Sequence, residues 1–109
     1  MFDKLTANMI MKGRKKVTRR LRKDNNCPAI IGNVHMLKVD RTQKTYGKIF
    51  IKNVYPSTLG NLTLIDALKE GFDSIAEYKK YFLKVNGTLN PNTPIWVIEF
   101  EYIGGTIKW

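Results

Sequence analysis

The chain has 109 residues, 43% of them apolar and twelve of them aromatic, enough for one modest core and too much for disorder over most of its length. Its formal net charge is +10, but residues 1–23 hold nine basic groups and one acid while residues 24–109 hold ten and eight, so the surplus is local. Cys27 is the only cysteine, which excludes an internal disulfide and a cysteine-based zinc site within one chain and fits a reducing compartment. No apolar run approaches the roughly 20 residues that span a bilayer. Met9-Ile10-Met11 is followed at once by Lys12, unlike the apolar core of a signal peptide. The expectation is one soluble, cytoplasmic domain over residues 1–109, with no membrane partner.

Phe2, Leu5, Met9 and Ile10 fall at helical spacing and predict a first helix over about residues 3–12, with Gly13 as its stop. From Lys12 to Lys23, eight of twelve residues are Lys or Arg and none is acidic. Such a block sets up a local potential that attracts polyanions such as RNA or DNA; the alternative is a solvated charged face or a flexible arm. It reads as a loop or an extended stretch. Asp24 to Pro28 is a loop, Val34 to Val39 a strand, Arg41 to Thr45 a hairpin connection, and Tyr46 to Tyr55 a second strand ended by Pro56. Apolar residues on both sides of these strands predict a closed or heavily covered sheet.

Thr63 to Asp66 opens a helix that runs to Glu70, with Gly71 as its stop. Ser74-Ile-Ala-Glu77 reads as a capping box opening another, which places Ile75, Tyr78, Phe82 and Val85 on one face. Ile95 to Tyr102 alternates as a strand, with Trp96, Ile98, Phe100 and Tyr102 on one face and Ile95, Val97, Glu99 and Glu101 on the other. Helix, strands, two helices, strand is an α+β order with a small antiparallel sheet or barrel.

The pattern Gly13-x-Lys15-x-x-Thr18-x-Arg20 resembles the signature of ASCH domains, a branch of the PUA-like fold, in which a Glu usually stands where this chain has Thr18. Threonine at that position is similar to one enzymatic branch, the small bacterial N4-acetylcytidine amidohydrolases. Ile31-Gly32-Asn33-Val34, Glu70-Gly71-Phe72 and Trp96-Val97-Ile98-Glu99-Phe100 extend the likeness in the right order, and residues 36–60 match least. The resemblance implies a small, mostly antiparallel β-barrel with flanking α-helices and no cofactor. It also implies a catalytic trio of Lys15, Thr18 and Glu70.

Amide hydrolysis on a cytosine ring needs a nucleophile, a base and a proton donor for the leaving amine. In that chemistry a neutral Lys15 activates the Thr18 hydroxyl, and Glu70 holds the substrate amino group and passes it a proton. The cationic neighbours Arg14, Lys16, Arg19 and Arg20 favour loss of the Lys15 proton. Taken without the resemblance, Lys15 is a phosphate contact or a solvated lysine, Thr18 a turn or capping residue, and Glu70 a helix end. A carboxylate at a helix C-terminus opposes the dipole, which points to a basic partner such as Lys15 or Arg20. His35, the only histidine, lies in a strand with nothing beside it to form a triad, and the carboxylates show no metal spacing, so no metal is expected.

The first functional reading is a module that binds RNA or a modified nucleoside in a basic cleft. Arg14, Lys16, Arg19, Arg20 and Arg22 are its nucleic-acid or substrate contacts, with Tyr46 and Phe72 as walls. The alternative is the N4-acetylcytidine-type amidohydrolase. A third class, a basic arm docking on an acidic protein, has no groove or heptad to support it.

Overall fold

The computed structural model describes residues 2–38 and 45–104. Asp3 opens α1 (Lys4–Met11): its carboxylate accepts the Thr6 N–H at 2.8 Å, and the helix ends at Lys12, followed by Gly13 at φ +76°. The chain then doubles back, with the Arg14 and Lys15 N–H groups both donating to the Met9 carbonyl (2.9 and 3.1 Å).

The basic segment is built into the sheet rather than left as an arm. Lys16 donates its N–H to the Lys69 carbonyl (2.7 Å) and accepts the Phe100 N–H (3.0 Å), and β1 (Val17–Leu21) follows. β2 (Val34–Lys38) and β3 (Thr45–Thr58) pair antiparallel, with His35 opposite Ile49. The residues expected to form their hairpin connection lie outside the described ones, save Thr45, which begins β3.

Pro56 does not end β3 as the sequence predicts; the strand continues to Thr58, with Pro56 opposite Trp96. β2 and the turn before it reach no further along β3 than Ile51, so among the described residues one flank of β3 is open at Pro56 and no ladder bond there needs the missing N–H. A register shift between Ile51 and Asn53 marks a bulge where this flank opens.

Thr63 and Asp66 form a reciprocal capping box that starts α2 (Leu64–Lys69). Ser74 caps α3 (Ile75–Asn86), but only half of the expected box forms there: the Glu77 carboxylate takes the Asp73 N–H (3.3 Å) instead of that of Ser74. β4 (Pro94–Tyr102) completes an antiparallel sheet of order β1-β4-β3-β2, curled into a half-barrel. The α+β, PUA-like architecture expected from the sequence is therefore present.

β4 lies inside the sheet and is apolar on both faces because each face has a core of its own. Ile98 and Phe100 pack with Ala7 and Ile10 of α1, Leu37 of β2, and Ile49 and Ile51 of β3. Ile95 and Val97 pack with Val17, with Ala67 of α2, and with Tyr78 and Phe82 of α3. β1 is an edge strand, paired with β4 alone among the described residues, and α1, α2 and α3 gather beside it.

Gly71 turns the chain out of α2 at φ +97°, and a Cβ there would meet Met9 Sδ at 2.8 Å. Gly71→Ala should cost about 1–3 kcal/mol through backbone strain, read in a circular-dichroism melt as a midpoint lowered by about 4–8 °C per kcal/mol. An unchanged midpoint contradicts this role for the glycine.

Candidate functional site

Lys15 sits where the chain passes from the Gly13 turn into β1, and Glu70 at the C-cap of α2. Fold closure brings both inside: the Lys15 side chain is 3% exposed and that of Glu70 1%. Lys15 Nζ donates to Glu70 Oε1. Arg19 Nη1 donates to Glu70 Oε2 at 2.9 Å, and Arg19 Nη2 approaches Asp66 Oδ1 at 3.2 Å. Tyr78 lines the same cavity beside the Glu70 carboxylate. A carboxylate facing the negative end of a helix is thus stabilised by a buried guanidinium and a buried amine. The partner anticipated in the sequence is Lys15 together with Arg19; Arg20 instead lies 4.8 Å over the Phe2 ring.

Burial pushes the Lys15 pKa below the ordinary lysine value. Glu70 opposes that shift, and Arg20 and Arg19 reinforce it. The cationic neighbours weighed in the sequence are therefore a secondary cause, and desolvation is the main one. Asp66 is the reverse case: burial disfavours its charge, but bonds from Thr63 and the Arg19 guanidinium outweigh burial and lower its pKa. Tyr78 is pushed well above the usual phenol range by burial and by Glu70, so its hydroxyl stays protonated.

These groups line a cavity of about 220 Å³ between β1, α1 and α3. Thr18, Arg19 and Arg20 all reach it although they are consecutive, because it runs along the unpaired edge of β1. Asp3 and Tyr81 form its far wall. The Tyr81 hydroxyl donates to Asp3 Oδ2 at 2.9 Å, and burial together with Asp3 raises the Tyr81 pKa to about 12.

Of the residues singled out in the sequence, Lys15, Thr18, Glu70, Arg19 and Arg20 meet in this cavity. Arg19 was placed among the substrate contacts; its side chain is buried and held by Glu70 and Asp66, so it orders the site from within. Arg14 is exposed and paired with Asp73 (3.2 Å), and Lys16 is exposed. Arg22 lies over the Trp96 ring (5.1 Å) and donates to Asn25. Neither aromatic wall candidate lines the cavity. Phe72 is buried behind it, with its ring against Tyr78 and Tyr81 (5.5 and 5.2 Å). Tyr46 packs on the α1 side of the sheet, where its carbonyl accepts the Tyr102 hydroxyl. Asp3, Tyr78 and Tyr81 went unrecognised as site residues. The signal was two tyrosines three apart on a helix facing a segment rich in charge, which periodicity alone assigns to core.

Among the described residues no group of three or more His, Cys, Asp or Glu is placed to hold a metal, and no helix is long and apolar enough to cross a membrane. The cavity offers an amine of lowered pKa, a hydroxyl and a carboxylate, the set needed for acyl transfer by a nucleophile and a base. Removing the carboxylate strands the buried Arg19 guanidinium and leaves Lys15 without its partner. Glu70→Ala should therefore lower stability by about 3–5 kcal/mol, read as a lower urea midpoint at constant slope. An unchanged midpoint contradicts the arrangement.

No protein-family model and no curated protein sequence matches this chain. Solved structures do. An ASCH domain from Lactobacillus crispatus JV V101 superposes with a TM-score of 0.76 at 15% identity, over 92% of this chain and 71% of that one. A DUF984-family protein from Enterococcus faecalis V583 gives 0.70 at 15%, over 96% and 74%. An ASCH protein from Zymomonas mobilis gives 0.61 at 20%, over 92% and 63%. At these identities the likeness is one of fold.

Proposed function

We propose that this chain, which has the fold of ASCH domains, removes the acyl group from an N4-acylated cytosine nucleoside held in the cleft beside β1. The observation that carries the proposal is an enclosed Lys15 of lowered pKa, sharing one small cavity with Thr18 and Glu70. A lysine meant for phosphate contact gains nothing from full burial, whereas a lysine base needs it, because only the neutral amine accepts a proton.

In this reading neutral Lys15 takes the Thr18 hydroxyl proton as the oxygen adds to the acyl carbonyl carbon and the carbonyl π pair moves onto its oxygen. Collapse of that adduct breaks the C–N bond, and the cytosine amine leaves with a proton passed from the Lys15 ammonium through Glu70. Water, deprotonated by Lys15, then cleaves the Thr18 ester; the acid departs and Thr18 regains its proton. Arg19 fixes the Glu70 carboxylate during these transfers. The cavity, at about 220 Å³, is small beside the ~300–1,000 Å³ usual for ligand pockets, which suits one acylated amine rather than a length of polymer.

Incubation with N4-acetylcytidine should release cytidine and acetate. Lys15→Met and Thr18→Val should each lower kcat/KM by about 10²–10⁴-fold, with folding followed by circular dichroism, while Thr18→Ser keeps most activity. Absence of cytidine with the wild type, or full activity in Thr18→Val, overturns the proposal.

A second reading, binding of RNA without cleavage, is favoured by the exposed Lys12, Arg14, Lys16 and Lys23 of the basic segment. It requires affinity for a short RNA that falls steeply with salt. Binding that is absent at low salt removes it.

A further inference from the structure

A second cavity, of about 330 Å³, adjoins the first on the opposite side of Thr18. Thr18, Arg20 and Phe2 line both, so the stacked Phe2–Arg20 pair and the Thr18 hydroxyl stand at the junction. The two chambers differ in character. The first is lined by Lys15, Glu70, Asp3 and Arg19; the second is walled by Ile49, Ile51, Ile98, Phe100 and Ala29. Its one other polar side chain is His35, whose Nε2 is buried with no hydrogen-bond partner among the described residues. A buried polar atom left unpaired is costly in a folded protein and calls for an explanation.

The sheet register accounts for the geometry. Thr18 lies opposite Ile98, and His35 lies opposite Ile49, so each polar group stands beside an isoleucine in the same apolar chamber. A ring seated on Ile49, Ile51 and Ile98 would have His35 at one edge and Thr18 at another. Apolar walls with a few hydrogen-bonding groups at the margin suit a planar heteroaromatic ring whose edge carries a carbonyl or a ring nitrogen. The charged chamber is too small for a whole nucleoside, and the apolar one supplies the missing room.

We propose that this apolar chamber is the subsite for the pyrimidine ring, that the His35 imidazole turns its buried Nε2 to the ring edge on binding, and that Thr18 marks the point where the ring's acylated amine passes into the charged chamber. This rests on the hydrolase reading for its orientation, but the subsite makes a claim about binding alone. The ring is the same in a free nucleoside and in an RNA strand, so cytidine and a cytidine trinucleotide form two arms of one experiment.

His35 is the only histidine in the chain, which gives its imidazole an isolated signal in nitrogen-15 NMR. Titration of the wild-type protein with cytidine should shift the His35 Nε2 resonance saturably. His35→Phe should weaken cytidine binding about tenfold, the loss of one hydrogen bond to a buried group. Ile49→Trp, which fills the chamber, should abolish binding. The arm that saturates at lower concentration identifies the source of the ring. A His35 shift without acetate release from N4-acetylcytidine supports the subsite and removes the hydrolase. Acetate release with a silent His35 and wild-type kcat/KM in His35→Phe overturns the subsite and leaves the hydrolase standing. Failure of both cytidine and the trinucleotide to move His35 overturns the subsite on the wild-type protein alone, whether or not Ile49→Trp folds.

Discussion

The buried carboxylate of Glu70 sets the terms for the rest of the molecule. It lies at the negative end of α2 and is almost wholly removed from water, so it requires positive charge brought to it through the fold. Arg19 supplies that charge from 51 residues earlier in the chain, and Lys15 a further hydrogen bond from 55 residues earlier. Meeting this need fixes the start of β1 against the end of α2, and the Lys16–Lys69 backbone bond follows from the same closure. Gly71 then turns the chain sharply away, leaving the Glu70 side chain directed inward.

The same constraint creates the chemical contrast along β1. Adjacent residues of one basic run do unlike things: Lys15 and Arg19 are enclosed among carboxylates, Arg20 stacks on Phe2, and Arg14 and Lys16 stay in solvent. An edge strand allows this, because side chains from consecutive positions reach round its unpaired side into one cavity. Enclosure of Lys15 costs solvation of its charge and thereby favours the neutral amine, which is the form useful to a neighbouring hydroxyl. The curled sheet behind Thr18 adds an apolar chamber, so charged and apolar surfaces meet at one side chain.

Local signals in the sequence were read with little loss. Thr63 and Ser74 each open a helix, Gly71 follows α2, and β4 alternates between two cores as its pattern implies. Longer-range features were less legible. A dense run of like charge reads as solvated until α2 is known to offer Glu70 and Asp66 to Arg19. Pro56 reads as a strand end because the sequence does not reveal that β2 stops short of it. Phe72 and Tyr46 are aromatic residues near site residues in sequence or motif, but register and helix facing turn both away from the cavity. Tyr78 and Tyr81 are the converse, a core-like spacing that lines the cavity, with the Tyr81 hydroxyl on half-buried Asp3. The resemblance carried by Gly13, Lys15, Thr18, Arg20 and Glu70-Gly71-Phe72 groups Lys15, Thr18 and Glu70, and these three line one cavity.

The central claim is that Lys15 is an enclosed amine held below the ordinary lysine pKa of 10.5. Nitrogen-15 NMR of the Lys15 side chain, followed across pH in the wild-type protein, measures it directly. The account requires a titration midpoint below 10.5, so that the proton bound in the unfolded chain is already lost from the folded one as pH rises toward that value. A midpoint at or above 10.5 contradicts it, because Glu70 then holds Lys15 as a permanent ammonium and the amine cannot serve as a base.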